Sequence, residues 1–201
     1  TPRRPRQGHP LEKMTSIPGM GDPRSEGPGA GSYALAIVGI TGLALCIAAM
    51  WFGMRMVMDV GGMCASGNSP YEIQTQCPDG APILLIPSGF LGFFFGFMMA
   101  VGFSRISSGA GSLVLLFWPA LFLSLGWNFL QYSFDPPGGG SLDIGWLICG
   151  IVFVLMGAVP LFTFPSIVKS IKDRRAAVFS ILIGGSAAGI LGAWWLANAV
   201  A

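Results

Sequence analysis

Apolar residues gather into five runs, at about 33–57, 83–103, 112–130, 144–168 and 178–200, divided by short polar and turn-forming segments. A helix rises about 1.5 Å per residue and a bilayer's hydrocarbon core is about 30 Å thick, so each run can cross it. The pattern predicts an all-α membrane protein, a bundle of five transmembrane helices over 33–201, entered from a polar tail over 1–32. The one long interruption is the polar outer loop 59–82, DVGGMCASGNSPYEIQTQCPDGAP, which holds two cysteines. The turn DPPGGGS at 135–141 is too short and too rich in helix breakers to be a domain.

Within the runs, small residues mark expected contact faces. Gly92 and Gly96 of the second run, with Gly89 close by, stand in the spacing that lets another helix approach closely. Gly185, Gly189, Ala193 and Ala197 repeat every fourth residue along the fifth and flatten one side of it. Met50, Met54 and Met58 share one face of the first run, an adaptable surface suited to a partner. Arg55 and Asp59, four apart, are expected to pair at the membrane interface. Pro119 should bend the third run, and Pro160 and Pro165 interrupt the fourth, because proline removes a backbone donor and crowds the preceding turn. Trp194 and Trp195 are placed for headgroup level.

Composition agrees with this class: 53% of residues are hydrophobic and 10% charged, with a mean hydropathy of +0.68. Charge position then orients the chain. With the N-terminus in the cytoplasm, the tail arginines and lysine, Arg105 and the cluster Lys169, Lys172, Arg174 and Arg175 all lie inside, leaving only Arg55 outside. The C-terminus is then outside. Cys64 and Cys77 are expected to form a disulfide, which oxidising compartments preserve, and this also places the loop outside. Two reduced thiols facing the cytosol are the alternative. Cys46 and Cys149 lie in apolar runs and read as buried hydrophobes.

The loop residues Gly61, Gly62, Cys64, Ala65, Ser66, Gly67, Pro70, Tyr71, Glu72, Ile73, Cys77, Pro78 and Gly80 carry a resemblance. With one inserted residue at Asn68 or Ser69, they resemble a GG-x-CASG-x-PYEI and CP-x-G pattern of small integral membrane proteins of actinobacteria. The resemblance implies a bacterial plasma membrane and no particular activity.

Chemistry is sparse. The run interiors carry no ionisable side chain, the usual mark of a proton or ion path. Asn128, Gln131, Asn198, Thr41, Thr163 and Ser124 are their polar handles and read as helix-to-helix bonds. The only histidine, His9, is in the tail, and neither a metal nor a cofactor site is expected. No catalytic residue stands out, although Glu72 and Asp79 could form an acid pair at the outer surface. The tail lacks groups that read or stack on bases, so nucleic acid is not an expected partner. The expectation is a non-catalytic accessory or assembly subunit, touching other integral membrane subunits and anionic lipid headgroups, with Tyr71 and Glu72 as further partner contacts. A small transporter or channel for a neutral or apolar solute, with a cavity lined by Asn128, Thr163 and Ser124, is the alternative.

Overall fold

The computed structural model describes residues 27–62, 64, 76–137 and 139–200. Most of the tail, and Tyr71 and Glu72 of the loop, lie outside the described residues. The described chain is helical: α1 (Ala30–Asp59), α2 (Gly80–Ile106), a 3-10 segment (Ala110–Leu116), α3 (Phe117–Phe134), α4 (Ile144–Ala158), a second 3-10 segment (Val159–Thr163), α5 (Phe164–Ser170) and α6 (Arg175–Val200). Counting the 3-10 segments with the helices they continue, five helices are long and apolar enough to cross a membrane. The first begins at Ala30, so the last three residues assigned to the tail belong to it.

Proline sets the irregular stretches. Pro119 cannot donate to the carbonyl of Leu115, and the chain upstream of it winds as a 3-10 helix before the α-helix begins at Phe117. Pro160 and Pro165 divide the fourth span into α4, a 3-10 turn and α5, as expected. Pro87 is accommodated inside α2. Asp143 starts α4 by accepting from the backbone N–H of Trp146 at 3.0 Å.

Small residues set the pairing of helices. A β-carbon on Gly39 would fall 2.6 Å from the Met99 Cα, and one on Gly102 would fall 2.7 Å from the Ala36 Cα. Gly53 meets the side chains of Leu84 and Leu85 in the same antiparallel register, so α1 and α2 touch backbone to backbone around Gly39 and Gly102 and backbone to side chain at Gly53. Gly185 and Gly189 lie on Ile40 and Thr41, which lays α6 along α1 in parallel, with Ala193 and Ala197 fully or nearly buried beyond them. Gly126, Gly150 and Gly157 interlock α3 with α4 against Val154, Leu130 and Leu123. The molecule is thus a three-helix unit (α1, α2, α6) carrying an α3–α4 hairpin. The first 3-10 segment joins them, with Ala110 and Leu113 fully buried in the core formed by Leu43, Met99, Phe103 and Val178.

The two ends differ in character. At one, Arg174 donates to the Tyr33 hydroxyl at 2.8 Å, and Gly109, in the left-handed conformation (φ 80°), abuts Ser170. A side chain at Gly109 would be both strained and blocked. Arg105 and Lys169 stand in last helical turns here, where a cation complements the helix dipole. At the other end, Asp59, Tyr132, Asp143 and the C-terminus of α6 gather beside the bridge from Cys64 to Cys77.

Candidate functional site at the disulfide end

Cys64 and Cys77 are bonded, with their Cα atoms 4.9 Å apart, so the loop is tied where α1 leaves and α2 begins. Close by, one polar cluster joins α1 to α3. Trp51, Arg55 and Asp59 follow one another at four-residue steps and share a face of α1. Ser124, Asn128 and Gln131 form the facing stripe of α3. Arg55 donates to the Gln131 side-chain oxygen at 2.7 Å and lies over the rings of Trp51 (5.0 Å) and Tyr132 (5.2 Å). Tyr132 donates its hydroxyl proton to Asp59 and meets Trp146 of α4 edge to face at 5.8 Å. The expected Arg55–Asp59 pair does not form, because α3 supplies Gln131 to the cation and Tyr132 to the carboxylate. Adjacent helix charges need not meet when a neighbouring helix offers each a better oriented partner.

Asn128 is fully buried and donates to the backbone carbonyl of Trp51 at 3.3 Å, while its own amide oxygen has no partner. Ser124, Thr163 and Asn198 bond to carbonyls of their own segments, at Leu121, Pro160 and Trp194. Asn128 and Gln131 therefore cross between helices, whereas Ser124, Thr163 and Asn198 do not. Replacing Tyr132 with Phe is expected to cost on the order of 1 kcal/mol, for the lost bond to the exposed Asp59 carboxylate. A thermal-unfolding comparison in detergent checks this, and an unchanged midpoint would mean that water replaces the Tyr132 hydroxyl at Asp59 without cost.

Two apolar clefts flank the contact between α1 and α3. One, of about 550 Å³, lies among α1, α3 and α6, and its lining includes Ile40, Ile47, Trp51, Ser124, Ser186 and Ile190. The other, of about 560 Å³, lies among α1, α2 and α3 and is lined by Cys46, Met50, Gly89, Gly92, Gly96 and Phe97, among others. The glycine face read in α2 is thus the wall of a cleft and not the point of closest approach. A β-carbon at Gly89 would meet nothing, one at Gly92 only Cys46 at 3.7 Å, and one at Gly96 Val114 at 3.7 Å and Leu43 at 4.0 Å.

Other residues separate in the same way. Met50 lines the second cleft and Met54 is half-buried, but Met58 is 1% exposed, so the expected methionine surface is reduced to its first two members. Cys46 is buried as expected, whereas Cys149 is exposed on the outward face of α4. Among the described residues no group of His, Cys, Asp and Glu could hold a metal ion. The clefts and Gly39, Gly102, Gly126, Gly150 and Gly157 were not anticipated. The seven-residue steps Gly39–Cys46–Gly53 and Gly150–Gly157 were the available signal for the second group.

The fold and site therefore define a helical protein with five spans of membrane-crossing length, a stapled connection at one end and apolar clefts along its sides. Comparison with protein-family models, curated proteins and solved structures finds no match.

Proposed function

We propose that this chain is a non-catalytic accessory or assembly subunit of a larger complex in a bacterial plasma membrane, holding integral membrane partners through its unfilled helix faces. The supporting observation is the glycine-walled cleft of α2. Gly89, Gly92 and Gly96 line a groove that no helix of this chain fills, while the comparable face of α6 is fully occupied by α1. The same helix turns Phe90, Phe93, Phe94 and Phe97 outward, each more than half exposed. Small residues beside large aromatics leave a notch along α2, about 560 Å³ in volume and walled on its other sides by α1 and α3.

Filling the notch tests this. The full chain, tagged and purified in mild detergent, is expected to carry integral membrane subunits in fixed proportion. Gly89→Leu should release them, and Gly92→Ala should weaken them, with the chain's own unfolding midpoint unchanged. A wild-type chain that migrates as a lone monomer would defeat the proposal.

The proposed orientation has the basic end in the cytoplasm and the disulfide loop outside. The grouping of Arg105, Lys169 and Arg174 at the end opposite Cys64 and Cys77 supports it, through the bias of basic residues toward the cytoplasmic side. An impermeant maleimide is expected to label Cys64 and Cys77 on intact cells only after reduction. Labelling that requires lysis would invert the orientation.

A further inference from the structure

We propose that the cleft among α1, α3 and α6 binds one phosphoethanolamine-headed lipid, its acyl chain in the cleft, its phosphate on Arg55 and its ammonium on Asp59. The inference is independent of the accessory-subunit reading and uses a different face of the molecule. Length comes first. The cleft follows α1 from Ile40 to Phe52, about 18 Å at the helical rise and close to half the hydrocarbon thickness of a bilayer. That is the depth of a single leaflet. Its volume of about 550 Å³ suits a chain-like ligand, and its only side-chain hydroxyls are Ser124 and Ser186, the first already donating to Leu121. Such walls select hydrocarbon.

Charge then selects the head. Arg55 continues the face of Trp51, a cleft residue, and Gln131 continues the face of Ser124, so their hydrogen bond stands at the end of the cleft nearest the disulfide. Among the described residues Arg55 has a neutral amide and two aromatic rings as its neighbours and no carboxylate partner. A guanidinium has further N–H groups for a phosphate oxygen. Asp59 lies one turn, about 6 Å, farther out on the same face. It is exposed and takes a single described hydrogen bond, from Tyr132. The order hydrocarbon, cation, anion along α1 matches the order chain, phosphate, ammonium in this lipid. A phosphoglycerol head offers Asp59 no cation. A choline head offers no N–H, and Arg55 already occupies one face of Trp51 and one of Tyr132.

The test is native mass spectrometry of the full chain in mild detergent, titrated in parallel with phosphatidylethanolamine, phosphatidylglycerol and phosphatidylcholine of identical acyl chains. One phosphatidylethanolamine per chain should be retained, about tenfold more tightly than either competitor, the scale of one charge-assisted hydrogen bond. Arg55→Met should weaken all three lipids, and Arg55→Lys should restore part of the loss. Asp59→Asn should abolish the preference over phosphatidylcholine while leaving the latter's retention unchanged. Ile190→Trp, at the exposed rim of the cleft, should displace the chain without touching either charge. Equal retention of the three lipids would overturn the proposal, as would retention indifferent to Ile190→Trp. So would a cysteine cross-link at Ser186 that traps a second copy's helix in the cleft.

Discussion

Gly39→Ala and Gly102→Ala are each expected to destabilise the chain by about 1–3 kcal/mol or more, the cost of overpacking a close contact. Gly92→Ala and Gly96→Ala in the same α1–α2 pair should stay within about 0.5 kcal/mol of wild type. The contrast is geometric. At Gly39 the added carbon would lie against the backbone of Met98 and Met99, and at Gly102 against that of Leu35 and Ala36. Backbone atoms in a helix cannot swing aside, so the two helices must part. Parting them strips contacts from Phe103 and Met99, which are 0% and 2% exposed. At Gly92 and Gly96 the nearest atoms are 3.7 Å away, an ordinary contact distance. Unfolding titrated with sodium dodecyl sulfate and followed by circular dichroism separates the pairs. Equal losses at all four positions would mean that α1 and α2 are packed evenly along their length.

Removing the disulfide, by Cys64→Ser with Cys77→Ser, is expected to lower stability by about 3 kcal/mol, the chain-entropy value for a ring of roughly this size. The two sulfurs are 13 residues apart in sequence and bridge the exit of α1 to the entry of α2. The loss should be concentrated at that end. Cys64 lies just beyond Asp59, so the Tyr132–Asp59 contact should become more solvent-exposed while the Arg174–Tyr33 bond at the far end is unaffected. Hydrogen exchange resolved along the chain reads this directly. Uniform loss of protection at both ends would mean that the bridge stabilises the bundle globally, and no loss would mean that helix packing alone holds the loop's roots together.

The clearest sequence signals were those governed by solvent. Five apolar runs became five helices of spanning length, the local structure that pairs a segment's peptide groups within the segment itself. The two cysteines of the one polar interruption are bonded. The fragmented fourth span followed from Pro160 and Pro165, since ring geometry acts locally. The flat side of α6 was also legible, because four residues in regular steps leave only one way to use the face.

The candidate site was less legible. Arg55 and Asp59 invited a pairing that Gln131 and Tyr132, over seventy residues away, replaced. Met58 looked like its two neighbours on the stripe and is buried. Gly92 and Gly96 carried the better-known spacing, yet the backbones meet at Gly39 and Gly102.

From residue order alone come the number of spans, their breaks, the stapled connection and the segregation of basic residues, all consequences of how each segment meets its solvent. Which glycines bring backbones together, which charges find partners and where clefts stay open were decided only when α3–α4 settled against α1, α2 and α6. The faces of these helices are nearly uniformly apolar, so transfer from water cannot rank one above another. Shape and a few hydrogen bonds make that choice, and they exist only between segments distant in sequence.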